Sequence, residues 1–134
     1  MTQPANPFVD EGRADKGRAD KASHDQIRRA IQFERSRVGS QISTLHESFT
    51  GIVEAAELTS TDDEHDPEGA TIAYERAQVS ALLAQARSDL AELDAALVRL
   101  ADGTIRTCAA CGGPIALERI LALPHVRTCI HCAR

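Results

Sequence analysis

Two stretches of the chain carry apolar residues with the spacing of a coiled coil. Over residues 24–58, and again over 67–102, these residues recur alternately four and three positions apart, with one arginine in each series. The positions are Ile31, Val38, Ile42, Leu45, Phe49, Ile52 and Ala56, then Ile72, Val79, Leu83, Ala86, Leu90, Leu93, Leu97 and Leu100. The spacing predicts two long helices that each bury one narrow apolar stripe.

The short connection between the two stretches predicts that the helices pair with each other as an antiparallel hairpin. Folding the chain about Glu64 brings Phe49 opposite Val79 and Ile31 opposite Leu97, so the stripes agree in length and phase. Association of these helices between two chains is the alternative. We expect a monomer, because a connection of about ten residues is short enough for neighbouring antiparallel helices.

Helix-ending residues mark the limits of the predicted hairpin, which spans residues 24–103. Ser23 is a suitable N-cap for the first helix, and Asp66 followed by Pro67 is a typical start for the second. Gly103 is a typical stop. Residues 1–23 contain two tandem copies of Gly-Arg-Ala-Asp-Lys and little apolar surface, which predicts a disordered tail.

Composition excludes several functional classes. Aromatic residues make up 3% of the chain, which argues against the broad core of a large enzyme domain, and we expect no catalytic activity. No run of 18 apolar residues and no apolar signal segment is present, so we expect a cytoplasmic protein without a membrane span. The net charge of -5 disfavours a protein that grips nucleic-acid phosphates.

The negative charge is concentrated where the predicted hairpin turns. Residues 59–71 contain five acidic residues and no Lys or Arg. These five residues are the candidate partner-binding acidic tip: Asp62, Asp63, Glu64, Asp66 and Glu68. Acidic residues between two helices are also typical of a simple solvated turn, so the run alone does not distinguish a binding site from a turn.

All four cysteines lie near the C-terminus, in two Cys-x-x-Cys pairs. Cys108 and Cys111 form the first pair, and Cys129 and Cys132 form the second after a 17-residue separation. Each pair presents two thiolates from one tight turn, and two such turns complete the tetrahedron that Zn²⁺ prefers. Four thiolates leave no open position for water, so residues 104–134 are predicted to hold one structural Zn²⁺ per chain. A disulfide framework is the weaker alternative, because no secretory signal is visible.

The predicted zinc finger, residues 104–134, resembles that of the DksA/TraR family. The resemblance rests on Cys108-x-x-Cys111-Gly112-x-Pro114-Ile115, Glu118-Arg119, Ala122-x-Pro124 and Cys129-Ile130-x-Cys132, and the layout resembles the family over residues 24–132. The family's tip motif, Asp-x-x-Asp-x-Ala, is met by Asp63 and Asp66 but has Glu68 in place of Ala. The expected fold is mainly α: a long antiparallel helical hairpin followed by a small four-cysteine zinc finger.

The resemblance implies a regulator of transcription that binds RNA polymerase directly. Family members insert the hairpin through the secondary channel, so that the acidic tip approaches the catalytic Mg²⁺ centre, and they do not bind DNA. Two other functions fit the residues: an interaction adaptor whose coiled coil binds a different partner, and a thiol redox sensor that releases zinc on oxidation.

Overall fold

The computed structural model describes residues 11–58 and 67–133, and this part of the chain folds mainly into helices. These are α1 (Glu11–Leu58), α2 (Pro67–Asp102) and the short α3 (Leu117–Ala122). The predicted architecture, a long helix pair followed by a small four-cysteine module, is confirmed. None of the helices in the described ranges is long and apolar enough to cross a membrane.

The first helix begins earlier than the sequence pattern predicts. Residues 11–23 were expected to belong to a disordered tail, but α1 starts at Glu11, and Ser23 lies within the helix instead of capping it. The physical reason is that extending an existing helix costs far less than starting one, and Ala, Arg and Lys of the tandem repeat are good helix formers. The prediction is corrected for these residues, while residues 1–10 lie outside the described part.

The described residues form two compact units. One consists of residues 11–32 and 96–133, and the other of the described residues of Phe33–Ala95. In the second unit, the apolar stripes of α1 and α2 face each other. Its buried side chains are Val38, Leu83, Ala86 and Leu93. Towards the turn the same stripes are only half-buried, as at Phe49 and Ile72.

An ion pair joins the two helices across their contact. Arg35 occupies a position of the α1 stripe, and its Nη2 lies 2.6 Å from Asp94 Oδ1 on α2. The pairing about Glu64 places Arg35 opposite Leu93, so the observed register agrees with the predicted one to within one residue. The Arg35 Nε is buried and has no hydrogen-bond partner among the described residues. Its charge is therefore neutralised through one end of the guanidinium group only.

The ends of α2 follow the local signals in the sequence. The helix begins at Pro67, as predicted, and stops before Gly103, whose φ of 83° lies in the left-handed region that favours glycine. The backbone N–H groups of Thr104 and Ile105 both donate to the carbonyl oxygen of Arg99, which closes the helix end. The Asp102 carboxylate accepts hydrogen bonds from the hydroxyl and the N–H of Thr104, and these bonds lower the pKa of Asp102.

The other unit combines the ends of the two long helices with the cysteine-containing segment. Its fully buried apolar side chains include Ile27 and Ile31 from α1, Ile115, and Ile120 from α3. The short helix α3 and the first helix α1 both contribute to this core, since Ile120 and Ile27 are both buried in this unit. The apolar core of the finger is thus shared with the helices that carry it.

Two adjacent leucines of α2 provide a matched test of the helix pairing. Leu83 is 7% exposed and Leu82 is 47% exposed. Leu83→Ala should lower the free energy of unfolding by about 2–4 kcal/mol, because it removes buried methyl groups and leaves a cavity. Leu82→Ala should cost less than about 1 kcal/mol. Urea unfolding followed by circular dichroism measures both, and equal losses would contradict the predicted burial of the stripe.

Candidate metal centre

The first cysteine pair sits on a tight turn that aims a backbone amide at sulfur. The Cys108 N–H donates to the Gly113 carbonyl (2.8 Å), and the Gly112 N–H donates back to the Cys108 carbonyl (2.9 Å). Gly112 adopts a φ of 71°, which a residue with a Cβ rarely tolerates. The turn lets the Gly113 N–H point at Cys111 Sγ, at 3.4 Å. A glycine-containing turn thus supplies a hydrogen-bond donor to one of the four sulfurs.

The second cysteine pair is joined to the first by backbone hydrogen bonds. The N–H groups of Cys132 and Ala133 both donate to the Cys129 carbonyl, which forms the second turn. The Ala109 N–H donates to the Arg127 carbonyl at 2.8 Å, so a residue between the first two cysteines is tied to the segment that leads into the second pair. The two turns are therefore held side by side by the backbone itself.

The four thiol groups converge on one point. The sulfur atoms of Cys108, Cys111, Cys129 and Cys132 all lie within 4.8 Å of one another. A tetrahedral Zn²⁺ with Zn–S bonds of about 2.3 Å requires sulfurs that are roughly 3.8 Å apart. The Sγ atoms of Cys111 and Cys129 are 3.8 Å apart, which fits this geometry and is far beyond a disulfide bond. The residues present therefore suit one structural zinc.

Hydrogen bonds and crowding affect the thiols unequally. The Cys129 N–H donates to Cys108 Sγ at 3.3 Å, and this bond is the main cause that lowers the pKa of Cys108 to about 6. The Cys132 thiol forms hydrogen bonds with the sulfurs of Cys129 and Cys111, and the bond with Cys129 has the larger effect. These bonds raise the pKa of Cys132 to about 12. Neighbouring thiolates repel one another, and a dication among them removes that conflict. Zinc thus supplies the charge that this cluster needs in order to ionise fully.

The nearby histidines do not belong to the cluster. Within the described residues, the only group of metal-binding side chains close enough to share an ion consists of the four cysteines. His125 and His131 are both exposed. The expectation that four thiolates suffice without a histidine agrees with this arrangement.

Two arginine side chains that the sequence pattern did not single out as structural hold the finger in place. Arg119 of α3 donates from Nε to the Thr128 carbonyl at 2.9 Å, which links the short helix to the residue before Cys129. Arg99 of α2 lies 3.4 Å from the carbonyl oxygens of His125 and Val126. Arg119 belongs to the sequence motif of the finger that carries the family resemblance, whereas no local sequence signal marks Arg99.

The acidic tip lies mostly outside the described residues. Asp62, Asp63, Glu64 and Asp66 fall between α1 and α2, in the segment 59–66 that the structure does not describe. Glu68 is described and lies exposed in the first turn of α2. A carboxylate at that position is favourable for the helix, because the N-terminal end of a helix carries partial positive charge.

Comparison with known proteins identifies the finger. Residues 103–134 match the family model described as the prokaryotic dksA/traR C4-type zinc finger. The finger of this chain is a DksA/TraR zinc finger. The family resemblance predicted from the sequence is therefore confirmed, and so is the prediction of a structural zinc.

The likeness to the DksA/TraR family extends beyond the finger. The structure of transcription factor DksA2 from Pseudomonas aeruginosa matches with a TM-score of 0.71 and 25% sequence identity. The match covers 84% of this chain and 81% of that chain. No curated protein sequence matches the chain. The finger thus matches the DksA/TraR family model, and the fold is similar to that of transcription factor DksA2.

Removing one cysteine should separate the stability of the finger from that of the helices. Cys108→Ser should abolish stoichiometric zinc binding and unfold the finger, because so small a module depends on metal for much of its folding free energy. Most of the helical circular dichroism signal should remain, since the apolar stripes of α1 and α2 within Phe33–Ala95 contain none of the cysteines.

The matched control for this change is Ala110→Ser, which adds a hydroxyl group to the same turn at an exposed position. Elemental analysis should find one zinc per chain in the wild type and in the control. Full zinc content in Cys108→Ser, or an X-ray absorption spectrum of the wild type that shows nitrogen ligands, would contradict the four-sulfur site.

Proposed function

We propose that the chain is a transcription regulator that binds bacterial RNA polymerase through its secondary channel. The observation that carries the proposal is the combination of a DksA/TraR finger with a helix pair that matches DksA2 over most of both chains. In this proposal Cys108, Cys111, Cys129 and Cys132 bind the zinc, which is structural. The protein acts as a monomer in the cytoplasm and performs no catalysis of its own.

The helices and the acidic turn have different roles in this proposal. The helix pair docks the protein in the channel, and the acidic tip of residues 59–71 approaches the catalytic Mg²⁺ centre. Carboxylates there engage basic residues or perturb the metal-centred site. Asp63 and Asp66 carry the effect, and Asp62, Glu64 and Glu68 add to the charge of the tip.

Charge supports action through polymerase without direct DNA binding. The stretch from 38 to 86 contains nine acidic residues and only one Arg or Lys. Such a surface repels the phosphate backbone of nucleic acid, which proteins bind mainly with clustered positive charge.

Affinity purification of the tagged protein from bacterial lysate should recover the polymerase subunits. Recovery of a different stoichiometric partner instead would favour the adaptor function.

Thiol redox sensing is the second candidate, and one observation favours it. Cys111 is the most exposed residue of the four cysteines, so it is the one nearest to an oxidant in solution. A sensor would release zinc at low peroxide concentrations, with a parallel loss of its effect on transcription. A structural finger should retain its zinc under the same conditions, which a colorimetric zinc-release assay distinguishes.

The tip carboxylates should be needed for the regulatory effect but not for folding. In the double variant Asp63→Asn with Asp66→Asn, zinc content and helicity should be unchanged, because Asn caps a helix about as well as Asp. Polymerase binding should be largely retained, while the effect on transcription in vitro should disappear.

The control for the tip variant removes two carboxylates elsewhere on the helices. Asp20→Asn with Glu92→Gln changes the net charge equally at exposed positions of α1 and α2 outside the acidic stretch 38–86 and should leave regulation intact. Equal regulation by the wild type and the tip variant would exclude the proposed role of the tip. Glu68→Ala, which restores the family motif, should strengthen the effect.

A further inference from the structure

The unit formed by Phe33–Ala95 contains a groove of about 630 Å³ between α1 and α2. We call it the arm groove. It is lined by Phe49 and Ala56 of α1 and by Gly69, Ile72, Ala73, Arg76, Ala77 and Ser80 of α2. Most of the α2 residues are small, so they leave the half-buried Phe49 and Ile72 without the close cover that Leu83 and Leu93 have farther along the helix.

The side chains that line this groove include one positive charge, that of Arg76. Arg76 is the only Lys or Arg between Arg37 and Arg87, a stretch that contains nine acidic residues. Its side chain is exposed and makes no ion pair or hydrogen bond with the residues that the structure describes. Its guanidinium group lines an apolar groove and is paired with none of the carboxylates that the structure describes.

The two arginines that interrupt the apolar stripes differ in this respect. Arg35 meets Asp94 across the helix pair at 2.6 Å, so its charge is used within the fold. Arg76 occupies the equivalent kind of position on α2 without such a partner in the described ranges. The stripes therefore contain one arginine that is paired across the helices and one that has no ion-pair partner among the described residues.

The chemistry of the groove favours one kind of occupant. A guanidinium group binds a carboxylate through two parallel hydrogen bonds, and such a pair is stronger beside apolar walls than in open water. Phe49 and Ile72 offer contact to an apolar side chain next to that carboxylate. A phosphate group is disfavoured, because it carries nearly two negative charges and the same stretch holds nine acidic residues.

We propose that the arm groove docks a segment of RNA polymerase that presents a carboxylate to Arg76 and an apolar side chain to Phe49 and Ile72. This inference rests on the proposed function, since it names the contact through which the helix pair binds polymerase. The rest of the stretch between Arg37 and Arg87 is acidic and suits a basic surface of the partner. A single arginine that requires a carboxylate therefore specifies the position of the helices along the channel.

The test measures binding of the full-length, zinc-loaded protein to purified polymerase. Arg76→Gln should weaken binding about 10- to 100-fold, the loss expected for a charge-assisted hydrogen-bonded pair. Arg76→Glu should weaken it further, and Arg76→Lys should bind between Gln and the wild type, because lysine keeps the charge without the planar fork. Arg87→Glu is the matched control: it reverses the same charge at an exposed position three turns along α2 and should change binding less than about threefold.

A photo-crosslinking residue at Ala73 identifies the occupant. It should capture a polymerase segment that contains Asp or Glu beside an apolar residue, while the same residue at the exposed Ala84 should not. Equal binding by the Arg76 and Arg87 variants would overturn the groove proposal and leave the polymerase function standing. Absence of binding by the wild type would overturn both. A wild-type dimer in sedimentation experiments that Arg76→Glu dissociates would assign the groove to a second copy and overturn the proposal.

Discussion

Burial of a narrow apolar stripe on each of two helices is the interaction on which the rest of the structure depends. The chain has few aromatic residues and therefore little material for a broad core. Two helices with matched heptads need only Leu, Ile, Val and Ala to exclude water from their contact. Leu93 and Ala96 are almost completely buried, and the two compact units each use part of the same pattern. Side chains outside the stripes are left to solvent and to partners.

The finger depends on a different source of stability, since a segment of about thirty residues cannot bury enough surface to fold by itself. Its backbone bonds hold the two cysteine turns side by side, and its apolar residues Ile115 and Ile120 share a unit with Ile27 of α1. A dication at the centre of the sulfur cluster stabilises the four thiolates together, because neighbouring thiolates repel one another. Metal binding and packing against the helices are therefore complementary sources of stability for this module.

Charge is distributed so that folding and partner binding use different groups. Arg35 and Asp94 neutralise each other within the helix pair, and Arg119 and Arg99 are directed to backbone carbonyls around the finger. Glu68, the tip carboxylate that the structure describes, is exposed and contributes little to burial. Under the proposed function, we expect changes at the exposed Glu68 or Arg76 to alter regulation or binding without loss of the fold.

Much of the fold was readable from the sequence, because its signals are local or periodic. Heptad spacing predicted the pairing of the helices and their register to within one residue, and Pro67 and Gly103 marked the ends of α2. The spacing of the cysteines predicted the four-sulfur cluster, since each pair of ligands lies on one turn. These features depend on neighbours along the chain and on the repeat of the helix.

Only the tertiary structure decided which long side chains found partners. Arg35 and Arg76 have the same position in the heptad pattern, yet one is paired across the helices and the other lines a groove. The link from Arg119 to Thr128 and the start of α1 at Glu11 also followed from what the fold brings together and from helix extension, not from a local signal. A flexible side chain can reach several partners, so its choice depends on the atoms that folding places within hydrogen-bond distance, and sequence spacing does not encode that distance.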